Sequence, residues 1–265
     1  MNQRIQTKYR LIRMIGEGAF SQVYLAQDEH GQQYACKVGK DMKILEREAD
    51  VLSRLYHPLF PSYVDYEEQG QTGRLVMEYI PGKSMKQLIR LRGRISARQT
   101  MRIAEELADG LLFLHQRQPG ILYRDLKPEN IMVCEDGHIK LIDFGCACLL
   151  DGQSGTRAGT PGFASPEQLA EDGAVGTYSD IYSLGKVLQS IMTAGKANGG
   201  EERKCRRRLE CMIAECTRED PKQRPQDMIS VFCFLTGNRK KEDGIICEKN
   251  IWESNYKNSC SLPSI

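Results

Sequence analysis

The sequence has almost no surplus of charge of either sign. Its 37 lysines and arginines face 35 aspartates and glutamates, a formal balance of +2 over 265 residues. So small a surplus gives no global case for binding nucleic acid or a membrane surface. A long apolar run is also missing: no window approaches the roughly 18 consecutive apolar residues that a membrane span needs. The first segment, MNQRIQTKYRLIRMIGEG, is polar and basic and lacks the apolar core of a secretory signal. The ten cysteines show no framework spacing, and in a chain this long they do not build a disulfide scaffold. A reducing, cytoplasmic location is the expectation. Internal repeats and low-complexity tracts are absent as well.

What is present is enough apolar residue, 40%, for one large domain or for two lobes sharing a cleft. Residues 9–38 alternate β-branched and aromatic positions with glycine-containing turns, which predicts three antiparallel strands. Residues 40–55 place Met42, Leu45, Ala49, Leu52 and Leu55 at helical spacing. Pro58 and Pro61 close that helix, and two strands follow near 62–68 and 74–79, joined by EQGQTG. Beyond PGKS, at 81–84, the pattern turns helical. Ser96 and Gln99 fit a capping box, opening a helix with Ile103, Leu107, Leu111 and Leu114 on one face. A strand-rich lobe over 1–80, a helical lobe over 81–237 and a tail over 238–265 are expected.

Several short stretches carry chemistry. GEGAFSQV, at 16–23, puts Gly16 and Gly18 between two strands, not between a strand and a helix. That excludes a Rossmann or Walker turn, but a glycine hairpin still lets backbone N–H groups approach phosphate oxygens. Lys37 ends an apolar strand and needs a counter-charge, for which Glu46 and Glu48 are candidates. A lysine snorkelling from a strand end is the plainer alternative. The loop ILYRDLKPENIM, at 121–132, crowds Arg124, Asp125, Lys127 and Asn130 between apolar flanks. Asp125 can take a hydroxyl proton, Lys127 can neutralise a phosphoryl group, and the Asn130 amide oxygen suits a hard cation. Asp143 follows an apolar strand, a rigid place for a carboxylate that ligates Mg²⁺. Together these make a phosphoryl-transfer site, where the protein positions groups and stabilises charge.

The ordered set GEGAFSQV, YACK, YRDLKPEN, DFG and SPE resembles the protein-kinase superfamily from residue 9 to about 235. GTPGFASPEQ, SDIYSLG and DPKQRP continue the likeness, whose flavour is that of bacterial Hanks-type (eukaryotic-like) serine/threonine kinases. The resemblance implies an α+β fold of two lobes: a small antiparallel sheet with one helix, then a larger helical lobe, with the kinase domain over about 9–237. It implies that Lys37 holds ATP phosphates and pairs with Glu48, that Asp125 is the catalytic base or orients the hydroxyl, and that Lys127 contacts the γ-phosphate. Asn130 and Asp143 would bind Mg²⁺, with Mn²⁺ as a substitute. Ile15, Gly16, Gly18, Val23, Ala35 and Met132 would surround ATP, Met77 would be the gatekeeper, and backbone groups of Glu78 and Ile80 would meet the adenine edge. Glu167 would pair with Arg224, and Asp180 would brace the catalytic loop. The lysine two positions after Asp125, together with Thr160, points to serine or threonine acceptors on proteins.

The pattern bends in places. Tyr123 stands where the family usually has His, and in the family that side chain packs under the D-F-G phenylalanine, here Phe144; a tyrosine ring can do the same. Ser21 and Ser165 are mild departures. Lys37 to Glu48 is unusually short, and Asp180 to Arg224 is compact, so the surfaces that dock substrates and regulate the first helix are in question. Arg124 suits a phosphate on the activation segment, residues 146–164, with Thr156 the chosen autophosphorylation site. A flexible loop needing no phosphate is the alternative. Cys146 and Cys148 read better as small apolar fillers than as a redox switch. The basic run ERKCRRRLE, at 202–210, reads as a solvated helix face sooner than a dock for an acidic partner. The spacing of Cys205, Cys211 and Cys216 is helical, so no metal site is proposed there. Two other readings stand beside an active kinase: a pseudokinase-like scaffold that binds nucleotide or a partner, and a small-molecule kinase, against which the activation segment speaks.

Overall fold

The structure, a computed structural model, describes residues 8–18, 20–150, 158–170, 173–192 and 199–237. In chain order the first elements are β1 (Arg10–Glu17), β2 (Ser21–Gln27), β3 (Gln33–Gly39), α1 (Met42–Ser53), β4 (Tyr63–Gln69), β5 (Thr72–Glu78) and β6 (Gly82–Ser84). Then come α2 (Met85–Arg92), α3 (Ala97–His115), β7 (Ile121–Leu122), β8 (Ile131–Cys134), β9 (Ile139–Leu141) and β10 (Cys148–Leu149). The last are α4 (Pro166–Leu169), α5 (Thr177–Ile191), α6 (Gly200–Cys216), a 3₁₀ turn (Pro221–Gln223) and α7 (Met228–Thr236). The chain divides into two compact units. One runs up to Lys83 and also takes Ile131–Ala147; the other holds Ser84–Asn130 and the chain from Cys148 onward.

In the first unit the strands form one five-stranded antiparallel sheet in the order β1-β2-β3-β5-β4. Between β2 and β3 the Asp28 carboxylate accepts from the N–H groups of His30 and Gln32, and Gly31 supplies the positive φ of +81°. The β4–β5 strands extend further than EQGQTG suggested: Gln69 pairs with Thr72, leaving only Gly70 and Gln71 in the turn. Helix α1 lies on β4 and β5 and buries Leu45, Ala49, Val51 and Leu52. Full burial of each such leucine is worth about 1.5–3 kcal/mol. The β8–β9 hairpin belongs here too: the Leu141 N–H donates to the Leu59 carbonyl at 2.6 Å, tying it to the chain after α1.

The second unit is built on α3, as its apolar face predicts. Ser96 and Gln99 form the expected capping box. Ala104, Leu107, Leu111 and Leu114 are fully buried against α5, α6 and α7. Those helices contribute Leu184 and Val187, Leu209 and Met212, and Val231 and Leu235. The two-stranded ribbon β7–β10 pairs Leu122 with Cys148 and Ile121 with Leu149. No helix among the described residues is long and apolar enough to cross a membrane.

Candidate active site

Lys37 lies in the middle of the first unit's sheet, near the end of β3, and is 8% exposed. A buried ammonium needs compensation, and it has two carboxylates. Its Nζ donates to both Glu48 oxygens at 2.8 and 2.7 Å and to Asp143 Oδ1 at 2.7 Å. Of the two glutamates considered on α1, Glu48 faces inward at 2% exposure, whereas Glu46 is exposed. Burial alone would lower the Lys37 pKa, but Glu48 and Asp143 more than offset it, so the ammonium is held charged. Burial pushes the Glu48 carboxyl up, and Lys37 and the Phe144 N–H, 3.0 Å away, pull it back. The short connection from Lys37 to Glu48 therefore still delivers the pair: β3 ends at Gly39, only Lys40 and Asp41 intervene, and α1 starts at once.

Asp143 is anchored differently. Its φ is +70°, and Arg124, at +69°, is the one other non-glycine residue with positive φ among the described residues. Such a conformation costs on the order of 1–3 kcal/mol and persists where surroundings over-determine it, commonly at functional sites. The Gly145 N–H donates back to Asp143 Oδ1 at 3.2 Å. Phe144 is buried and meets Phe60 edge-on, with ring centroids 5.4 Å apart. The Asp143 side chain itself remains 41% exposed.

The register places Val23 opposite Lys37, Leu25 opposite Ala35 and Met77 opposite Ala35, so Val23, Ala35, Lys37 and Met77 share one face of the sheet. Gly16 pairs with Val23, and the Gly18 N–H closes the tip of the hairpin on the Ser21 carbonyl at 2.8 Å. Ile15 is exposed and Met132, in β8, is half-buried; Met77 and Ile80 are buried. The Glu78 N–H is committed to the Ser62 carbonyl at 2.9 Å, and its side chain accepts from Ser62 N–H and Lys140.

In the second unit the loop after β7 forms a compact network. Lys127 Nζ donates to Asp125 Oδ2 at 2.7 Å and to Thr160 Oγ1 at 2.8 Å. The Thr160 hydroxyl donates to Asp125 Oδ1 at 2.7 Å. Asn130 Nδ2 donates to the Asp125 carbonyl at 2.9 Å and to Oδ2 at 3.2 Å, which leaves Asn130 Oδ1 as its acceptor end. Asp180, fully buried on α5, accepts from the backbone N–H groups of Tyr123 and Arg124 at 2.9 and 2.8 Å. Tyr123 itself is fully buried. Glu167 and Arg224 form a two-pronged ion pair at 2.7 and 3.0 Å, joined by the Ser179 hydroxyl at 2.8 Å. Burial would raise the Glu167 carboxyl, but Arg224 and its other donors hold it below the usual carboxylate range. Thr156 lies outside the described residues.

Two residues here were not singled out from sequence. His115, in the last turn of α3, donates from Nε2 to Asp180 Oδ2 at 2.8 Å. Gln168, 2% exposed, reaches the Arg124 carbonyl at 2.8 Å. His115 has no motif of its own; Gln168 stands at capping-box spacing from Ser165, which marks its acceptor end but not its bond to the Arg124 carbonyl. Among the described residues no cluster of three or more His, Cys, Asp or Glu side chains could hold a metal. Magnesium needs fewer, since it binds one or two carboxylates and completes its shell with phosphate and water oxygens.

The family described as protein kinase domain matches residues 9–233. The serine/threonine-protein kinase PrkC of Bacillus subtilis is 33% identical over 214 residues, covering 76% of this chain and 33% of that protein. The serine/threonine-protein kinase cds1 of Schizosaccharomyces pombe is 34% identical over 207 residues, covering 70% of this chain and 45% of its own length. A probable serine/threonine-protein kinase, pknA2 of Bifidobacterium longum, is 31% identical, with 72% of this chain and 27% of that protein covered. The aligned part is thus under half the length of these relatives.

Proposed function

The chain belongs to the protein kinase domain family, and on that footing we propose that it transfers the γ-phosphate of ATP to serine and threonine hydroxyls of proteins, its own included. The observation that carries the reading is the Lys37–Glu48–Asp143 cluster: one ammonium held protonated by two carboxylates, of which the Asp143 side chain stays partly exposed. Two carboxylates share one ammonium there, an oxygen-rich setting that a divalent ion at Asp143 would suit. A scaffold that had given up chemistry has no need to retain this set together with an intact Asp125, Lys127 and Asn130 network.

Each residue then has a role. Lys37 holds α- and β-phosphate oxygens, and Glu48 fixes the direction of its ammonium. Asp143 and Asn130 Oδ1 are the oxygen donors proposed for Mg²⁺. When bound, the ion neutralises charge on the phosphates. Asp125 orients the acceptor hydroxyl and takes its proton, while Lys127 steadies the transferring group. Val23, Ala35, Met77 and Met132 line the adenine, whose edge meets the Glu78 carbonyl and the Ile80 backbone, the Glu78 N–H being already committed. The serine/threonine preference is supported by the Thr160 hydroxyl on Asp125 and Lys127 and by the names of the relatives.

The test is transfer from γ-labelled ATP with Mg²⁺ to a generic basic protein. Wild type should label serine and threonine, and Asp125→Asn should not. Wild-type turnover in that variant would remove the role assigned to Asp125. Fast transfer to a metabolite, with none to protein, would replace this reading by a small-molecule kinase.

A further inference from the structure

We propose that Gln168 is a positioning residue for phosphoryl transfer: its side-chain amide clamps the strained Arg124–Asp125 peptide to the end of the activation segment. The inference rests on the kinase reading and assigns part of the same site.

Gln168 lies in α4, a helix of one turn, and all of its amide is used. Its Oε1 accepts from the Ser165 N–H at 3.2 Å and from the Ser165 hydroxyl at 3.1 Å. Its Nε2 donates to the Arg124 carbonyl at 2.8 Å and to the Ala158 carbonyl at 3.4 Å. The side chain is 2% exposed and Ser165 is fully buried, so water cannot substitute for these partners. The first pair of bonds is the reach-back half of a capping box, which Glu serves as well as Gln. The second pair needs two donors, which a carboxylate lacks. A glutamine here thus satisfies a requirement beyond capping.

What it clamps is the sensitive point of the loop. Arg124 sits at φ +69°, immediately before Asp125, with its N–H on Asp180 and its carbonyl on Gln168. Arg124, the residue whose carbonyl opens the peptide to Asp125, is therefore held at both its N–H and its carbonyl. On the other side, Ala158 leads through Gly159 to Thr160, whose hydroxyl binds Asp125. Gly159 has φ +111°, and a Cβ there would stand 3.0 Å from the Arg124 carbonyl and 3.2 Å from Gln168 Nε2. It would also stand 2.8 Å from Ala164 Cβ, so with its positive φ the position takes glycine.

The experiment compares Gln168→Glu with Gln168→Leu in the full chain. Loss of the donors should lower kcat roughly 10- to 100-fold, the cost of a small misplacement at a reacting centre, with the KM for ATP little changed. Gln168→Glu carries a further signature. A buried carboxyl among carbonyl oxygens has a raised pKa, and once protonated it donates again to Arg124. Its kcat should therefore recover as pH falls from about 8 to about 6, whereas that of Gln168→Leu stays low throughout. Equal, pH-independent losses in both variants, or turnover like wild type in both, would overturn the proposal. Hydrogen exchange supplies a readout apart from activity. The amides of Arg124, Phe163 and Ala164, bonded to Asp180 and to the Thr160 carbonyl, should lose protection in Gln168→Leu. Unchanged protection there refutes the clamp even if wild type transfers no phosphate, an outcome that would separately refute the kinase reading.

Discussion

Asp125 gathers more hydrogen bonds than a surface carboxylate needs, from Lys127, Thr160 and Asn130. On the role proposed for it, Asp125→Asn should leave nucleotide binding intact and lower turnover by roughly 10²–10⁴, the usual worth of a general base. Nucleotide titration beside steady-state kinetics checks both halves. Glu167 offers a pH test. Its folded pKa is depressed, so its stabilisation is fully present above the unfolded value, about 4.3, and is lost as pH falls through the lower folded value. Replacing it by Gln leaves Arg224 buried without its partner. Glu167→Gln should cost about 3–5 kcal/mol at neutral pH and lose less additional stability than wild type on acidification, by thermal melts across pH. Asp125, Lys127, Asn130 and Asp143 were legible from residue type and setting, whereas the Lys37–Glu48 and Glu167–Arg224 pairs and the bracing role of Asp180 came from the resemblance to the kinase family. Glu48 was separable from Glu46 in principle, since it falls between Leu45 and Leu52 on the buried face of α1. His115 and Gln168 were not legible. Their partners are a fully buried carboxylate on another helix and backbone carbonyls, neither of which marks the sequence.

Helix α1 shows how an element can be trimmed and still deliver its charge. Gly39 ends β3 where a Cβ would stand 2.9 Å from the Phe20 carbonyl, and Asp41 caps the helix two residues later, accepting from the Ile44 N–H at 3.2 Å. Asp41→Ala should destabilise the fold by about 0.5–2 kcal/mol, the usual worth of an N-cap, in urea titrations. It should also weaken ATP binding, because the cap fixes the first turn of the helix that carries Glu48. The meander, α1 and α3 were readable from periodicity and caps, which are local. The β4–β5 turn was read too long, because strand ends are set by cross-strand pairing that propensity does not show. The two-residue strands β7 and β10 exist only through pairing with distant chain, which no local pattern announces, whereas the single turn α4 carries a local start signal, Ser165 with Pro166 and Gln168, that was not read as a helix.

At the scale of the molecule, the chain leaves the first unit after Lys83 and returns to it for Ile131–Ala147. That return delivers Asp143 to Lys37, 106 positions away in sequence. The second unit keeps Asp125, Lys127 and Asn130 beside the buried core of α3 and α5. Leu107→Ala, at 0% exposure in that core, should cost about 2–5 kcal/mol in denaturant titrations while leaving the Lys37 cluster of the other unit unaltered. The central proposal is that Lys37, Asp143, Asp125 and Asn130 are residues of a phosphoryl transfer. Phosphosite mass spectrometry of the chain incubated with ATP and Mg²⁺, set beside folded Asp143→Ala, tests it most directly. Phosphoserine or phosphothreonine on the chain or an added protein acceptor from wild type, and none from the variant, is the predicted result. Equal incorporation by both, or none by folded wild type, would contradict the account.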